Sequence, residues 1–427
     1  MGKSADNARF ADTLPVMDPI RNPYAPGAGQ RPPELAGRDN EIAAFEIALE
    51  RIARGRPERS TVLTGLRGVG KTVLLNALRS SAVRASWGTG KFEARPDQAI
   101  RQPIAAAIHM AVRELSGASE ADTRHVLGVI KAFAQRPPVG ARVAAKATPR
   151  DRWQPGIDVP AATGRADSGD IEIDLVELFV EVAGLAADTG RGIAIFIDEM
   201  QDLDAADVSA LCAACHELSQ QGLPLMVVGA GLPHLPAVLS ASKSYSERLF
   251  HYARIDRLDR AAAANALRIP AREENADFTD DALEALYVST GGYPYFIQAH
   301  GKAAWDLAPR SPITAADVAV AEPEANNELA VGFFGSRYER ATPAERDYLR
   351  AMAQLDDPAA SDIATPEVEA APVVTTAQVA GVLSRSAQSV SPARDALIKK
   401  GLIYSAERGQ IAFTVPHFGR YLRTQHC

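Results

Sequence analysis

The eight residues Gly65-Leu66-Arg67-Gly68-Val69-Gly70-Lys71-Thr72 constrain this chain more than any other stretch. They satisfy GxxxxGK[ST]. Their flanks read as a short strand, Thr61-Val62-Leu63-Thr64, and an apolar helix, Val73-Leu74-Leu75-Asn76-Ala77-Leu78. Strand, glycine loop and helix in that order let backbone N–H groups wrap a phosphate at the positive end of the helix dipole. In such a loop Lys71 reaches the β and γ phosphates and the Thr72 hydroxyl ligates Mg2+. A chance glycine turn is the competing explanation, but four specified positions and two correct flanks speak against it.

A second feature belongs with the first. The continuous apolar strand Ile193 to Ile197 ends in Asp198-Glu199, where an open parallel sheet presents ligands at its carboxyl edge. Asp198 would hold the hydration shell of the metal, and Glu199 would polarise the attacking water. The implied reaction is hydrolysis of ATP to ADP and phosphate, with ATP and Mg2+ as cofactors.

The remaining pattern sets these motifs in an α/β frame. Turn formers crowd residues 1–33, from Pro15 to Pro33, and predict an extended N-terminal arm. Ile42, Phe45, Ile47, Ala48 and Ile52 recur at helical spacing. Residues 135–170 carry five prolines and no periodicity, which predicts a flexible insertion. A helix with Leu175, Leu178, Phe179, Val182 and Leu185 on one stripe leads into the strand at 193; another helix over about 206–220 leads into the strand Leu225 to Val228. Apolar strands alternating with helices predict a parallel sheet covered on both faces. Past about Arg257 helices take over, near 259–268, 279–289, 294–307 and 314–322. From Thr342-Pro343-Ala344-Glu345, a capping box, the spacing predicts a helix to about Leu355. A short helix from Thr376 to Leu383 follows, then a longer one opening near Ser391-Pro392 and capped by Gly401. A hairpin turning at Glu407-Arg408-Gly409-Gln410 completes a winged helix-turn-helix.

Together these pieces resemble AAA+ ATPases of the origin-recognition-like and STAND or archaeal-ATPase kind, from about Glu34 to Phe334. The matching segments are LAGRDNEI at 35–42, GLRGVGKT at 65–72, IFIDEMQDL at 195–203, SERLF at 246–250 and TGGYPYF at 290–296. The resemblance implies a P-loop NTPase sheet sandwiched by helices over 34–257, a helical lid over 258–330 and a winged-helix domain over 331–427. It places Gly37 and Arg38 near the adenine, Tyr293 and Pro294 against the base, and Arg248 across a subunit boundary on the γ-phosphate. For Arg248 a structural ion pair is the competing reading. The strand at 225 ends in Gly229-Ala230-Gly231, without the Asn, Ser or Thr that commonly orients the lytic water in this family, and this implies slow turnover.

Composition bounds the rest. A net charge of −7 over 427 residues argues against a protein that is basic overall. No run of about eighteen apolar residues suggests a membrane span, and three cysteines build no disulfide framework; a cytoplasmic protein is expected. Cys212-Ala213-Ala214-Cys215-His216 matches a haem-attachment pattern, yet it lies inside an apolar helix where buried cysteines act as small hydrophobes. Between Thr375 and Cys427 seven basic residues face two acidic ones, so Arg385, Arg394, Lys399, Lys400 and Arg408 are candidate phosphate contacts for duplex DNA. Packing of the same module on the ATPase or on a protein partner is the alternative. Three functions stand open: a nucleotide-driven conformational switch acting through an ATP-dependent homo-oligomer, a DNA-binding initiator-like or mobile-element-helper ATPase, and a nucleotide-binding scaffold without turnover.

Overall fold

The computed structural model describes residues 17–27, 29–115, 117–135, 158–355, 374–405, 409–415 and 417–424. The start of the expected arm, most of the expected insertion, the acidic loop at 356–369, and Glu407 and Arg408 lie outside the described residues.

Five strands, β1 (Ser60–Thr64), β2 (Gly88–Glu93), β3 (Ile193–Asp198), β4 (Leu225–Gly231) and β5 (Phe250–Arg254), form one sheet in the order β2-β3-β4-β1-β5. Every pairing is parallel, with Thr61 opposite Val228, Ser60 opposite Phe250, Ile193 opposite Leu225 and Gly88 opposite Ile193. Every residue of β3 and β4 is buried, as a sheet covered on both faces requires. Helices Arg101–Glu114, Glu120–Gln135, Ile171–Asp188 and Ala205–Gln221 share a core with these strands. The order places β4 between β3 and β1, so Thr64, Asp198 and Gly231 end side by side on the carboxyl edge.

Two strands carry no apolar run. In β2 a side chain at Gly88 or Gly90 would meet the carbonyls of Ala111 and Ala107 at 2.3 and 2.1 Å, so helix Arg101–Glu114 lies too close for any Cβ. Its glycines are the price of that contact. β5 is an edge strand and exposes His251 and Arg254. Beneath helix 101–114 an ion pair is sealed in: Arg101 meets Asp174 at 2.9 Å, the two side chains 7% and 0% exposed. Asp174 also accepts from the amides of Ser168 and Gly169, and the Arg101 guanidinium lies over the Phe133 ring.

Residues 38–256 and 337–427 group as one compact unit, and residues 1–37 and 257–336 as another. The second unit has helices Arg260–Glu273, Asp280–Thr290, Pro294–Leu307 and Ala315–Glu328, then a π-helical stretch Leu329–Gly335. The first helix runs past its expected end at 268 and through Pro270, whose ring is buried. Described residues of the expected arm pack on these helices: Tyr24 is 3% exposed, donates to the Leu267 carbonyl at 2.5 Å, and meets Phe278 and Trp305 edge-on.

In the C-terminal module, helix Pro343–Leu355 starts at the Thr342–Glu345 capping box. The short helix is Thr376–Val382, capped by Thr375. The longer helix is Ala387–Lys399, capped by Ser386, so Pro392 lies inside it rather than at its opening. Strands β6 (Val374–Thr375), β7 (Ile403–Ser405) and β8 (Gln410–Phe413) pair antiparallel in the order β6-β8-β7, and helix Phe418–Thr424 follows.

Candidate functional site

The glycine loop leaves β1 with no room to spare. A Cβ at Gly65 would meet the Ile255 carbonyl at 2.1 Å, and the Gly65 amide donates to Gly231 at 3.2 Å, tying the loop to the end of β4. Gly68 and Gly70 have φ of 85° and 90°, a region glycine enters freely. Gly70 caps helix Lys71–Arg84 and has no side chain to bond its first amides. Those donors therefore remain available to an anion. Val69 is buried, while Leu66, Arg67, Gly68 and Thr72 are half-buried around the turn.

Lys71 is 8% exposed, and its ammonium donates to the carbonyls of Gly65 at 2.9 Å and Leu66 at 2.7 Å. Burial pushes it down to about 8; Glu199 and Asp198 act against that shift, and Arg67 adds to it. A cation held by two neutral carbonyls in a dry place lacks a full counter-charge, and a polyphosphate supplies one.

Asp198, 6% exposed, closes β3 and accepts the Glu199 amide at 3.0 Å. Glu199 itself adopts φ 52°, a left-handed conformation that turns the chain sharply off the strand. Both its carboxylate oxygens are taken: Arg67 donates to one at 3.1 Å and Gln201 to the other at 2.6 Å. Asp202 next to it is pushed up to about 6 by burial and by the Glu199 charge.

Gln201 is the residue that spacing did not single out. Its carbonyl oxygen accepts the Leu232 amide at 3.1 Å, so one side chain bridges Glu199 to the chain leaving β4. The turn that carries it, Met200 included, lies close against the glycines there. A Cβ at Gly229 would meet Met200 Sδ at 1.9 Å and one at Gly231 would meet Gln201 Oε1 at 2.8 Å. The polar group missing from β4 thus has a counterpart on the adjacent turn, within the quoted segment IFIDEMQDL.

Other candidates fall elsewhere. Arg38, 7% exposed, donates to the Val69 carbonyl at 3.1 Å and the Asp256 carbonyl at 2.5 Å, so it braces the glycine loop from behind. Burial lowers its pKa, with Glu41 and Asp256 opposing. Arg248 is exposed on the short helix Ser246–Leu249. Tyr293 and Pro294 open helix Pro294–Leu307 in the other compact unit, behind Gly292 at φ 75°. The thiols of Cys212 and Cys215 are buried and pushed up to about 12 by burial.

The C-terminal module touches the glycine loop. The Arg67 amide donates to the Thr414 carbonyl at 2.9 Å, and a Cβ at Gly401 would lie 2.8 Å from Arg67 Nη2. Lys399 donates to Asp97 at 3.3 Å, and His234 stacks on Tyr404. Lys400 donates to Glu345 at 2.6 Å, inside the module.

The arrangement fits a magnesium triphosphate: a glycine cradle, a buried ammonium, a hydroxyl at Thr72 and a carboxylate at Asp198. Among the described residues no three His, Cys, Asp or Glu side chains gather as a metal site. A magnesium ion held mainly by phosphate and water requires no such cluster.

Residues 34–228 match the family model of the AAA ATPase domain, and residues 331–422 match a family described as Domain of unknown function (DUF8462). No curated protein matches the chain. Among solved structures, the Walker-type ATPase PABY2304 of Pyrococcus abyssi is 16% identical, with a TM-score of 0.55 over 92% of this chain and 97% of that one. Cdc6p of Pyrobaculum aerophilum is 14% identical, with a TM-score of 0.42 over 96% and 99%. The RuvB Holliday junction branch migration motor of Thermotoga maritima is 17% identical, with a TM-score of 0.41 over 93% and 99%. Only the first of the three is close enough in shape to bear on the fold.

Proposed function

We propose that this chain, whose residues 34–228 match the AAA ATPase domain, binds Mg-ATP and hydrolyses it slowly as a nucleotide-driven conformational switch. One observation carries this reading: the buried Lys71 ammonium and the carboxylates of Asp198 and Glu199 meet at the carboxyl edge of one parallel sheet. Gly65 to Thr72 cradle the phosphates, Lys71 balances their charge, Thr72 and Asp198 hold the magnesium shell, and Glu199 accepts a proton from the attacking water. The metal neutralises charge on the phosphates when it is bound. Arg38 stiffens the loop through Val69. Slow turnover follows from Glu199, both of whose oxygens are already hydrogen-bonded.

The C-terminal module, read as a winged helix, acts as the responding part of the switch. Its longer helix directs Lys399 to Asp97, and the Thr414 carbonyl just past β8 accepts from the glycine loop, which favours packing on the ATPase over gripping DNA. Arg248, exposed and outside the cluster, suits action across a subunit boundary in an ATP-dependent homo-oligomer. Calorimetric titration with Mg-ATP tests the reading. Binding by the native chain and its loss in Lys71→Ala are expected; no affinity, or affinity unchanged by Lys71→Ala, would sink it.

A further inference from the structure

Arg67 does two things at once. Its guanidinium is bonded to Glu199 at 3.1 Å, and its own amide is bonded to the Thr414 carbonyl at 2.9 Å. Thr414 is held in turn by the module: its amide donates to Leu402 at 3.1 Å and its hydroxyl donates to Gly401 at 2.7 Å. Gly401, at φ 64°, presents bare backbone to the Arg67 side chain, and a Cβ there would crowd Nη2 at 2.8 Å. The contact is therefore tight on both the backbone and the side chain of one residue of the glycine loop. The Arg67 and Glu199 side chains are 27% and 23% exposed, so neither is freely solvated.

We propose that Arg67 is a positioning residue through which the docked C-terminal module restrains Glu199 and represses hydrolysis. With the module in place, the Arg67 main chain is fixed by Thr414, its side chain is directed by the Gly401 turn, and the Glu199 carboxylate is held in an ion pair. A carboxylate oxygen so engaged is not available to take the proton of the attacking water. Undocking releases the Arg67 amide and the guanidinium together and returns one oxygen of Glu199 to the lytic water. The other oxygen stays on Gln201, which keeps the carboxylate oriented. This inference rests on the reading of Glu199 as the base.

The test is steady-state phosphate release at saturating Mg-ATP, with KM measured beside kcat. Arg67→Ala removes the restraint. Tyr404→Ala removes the stacking on His234 and loosens the seam from the module's side, without touching the catalytic residues. Each is expected to raise kcat on the order of tenfold, the worth of one hydrogen bond to a charged group, with KM little changed. The double variant should rise no further than either single one, because both open the same contact. Arg67→Lys, which keeps a cation, should return the rate toward the native value. Lys399→Glu, at the exposed end of the seam, replaces Tyr404→Ala if that protein does not fold. A fall in kcat with Arg67→Ala, an unchanged rate with the module variant, or additive effects in the double variant would overturn the coupling. If Glu199→Gln leaves phosphate release intact in all these backgrounds, the role of Glu199 has failed instead.

Discussion

If the proposed nucleotide site is correct, the buried ammonium of Lys71 should give it a pH dependence that an ordinary lysine would lack. Burial holds its pKa at about 8 in the free protein. One pH unit below that value about nine-tenths of the molecules carry the charge, and one unit above about one-tenth do. Mg-ATP requires the charged form, so affinity should fall about tenfold, or about 1.4 kcal/mol, between roughly pH 7 and pH 9. A lysine near its usual value would remain charged throughout and affinity would be flat. At the upper pH, binding should also take up close to one proton, read by calorimetry in buffers of different ionisation enthalpy. Lys71→Arg separates this from titration of the nucleotide and the metal, because a guanidinium stays charged across the range. The sign for folding is the reverse. A lysine whose folded pKa is lowered destabilises the fold while charged, so that penalty is full below about pH 8 and fades as pH rises toward the unfolded-state value. Equal affinities at the two pH values, or the same slope in Lys71→Arg, would refute the argument.

Other expectations follow from single contacts. Asp174→Asn leaves Arg101 charged in a sealed core and should cost about 3–5 kcal/mol in chemical denaturation, whereas an exposed pair such as Arg54–Glu50 should cost under about 1 kcal/mol. Gly65→Ala drives a methyl group into the Ile255 carbonyl, and should abolish nucleotide binding or lower the melting temperature of the ATPase unit. Glu199→Gln should retain Mg-ATP while losing phosphate release; equal and negligible release in both proteins would favour a scaffold without turnover. Duplex DNA titrated at several salt concentrations should show no steep salt dependence that Lys399→Ala with Lys400→Ala weakens, since Asp97 and Glu345 engage these lysines.

The central strands were legible because a strand buried on both faces has to be apolar throughout, and Ile193–Asp198 and Leu225–Gly231 advertise this directly. β2 was not, for the opposite physical reason. Its neighbour helix lies so close that Gly88 and Gly90 replace the side chains that would have signalled a strand. The edge strand β5 has only Phe250 buried, and its signal is diluted by the solvent side. Helix ends were displaced where proline was weighed by local chemistry alone. Pro270 and Pro392 both sit inside helices; around Pro270 the burial of Ala266, Leu267 and Ala271 offsets one missing hydrogen bond.

For the site, the residues read from spacing were those whose chemistry depends on a short local pattern. Lys71 and Thr72 follow from the glycine loop, and Asp198 and Glu199 follow from the strand before them. What spacing could not convey is how these residues are held. Arg67 occupies a position the pattern leaves unspecified, yet it joins Glu199, 132 residues away, to Thr414 in the C-terminal module. Gln201 bonds the chain leaving β4 from the turn after β3, and the glycines at 229 and 231 leave room for Met200, Gln201 and Leu235. A pattern of identities records the atoms that meet the phosphate. Part of the restraint on those atoms comes from backbone carbonyls, Thr414 on the Arg67 amide and Gly231 on the Gly65 amide, which any residue can supply, so that part leaves no signature in residue type.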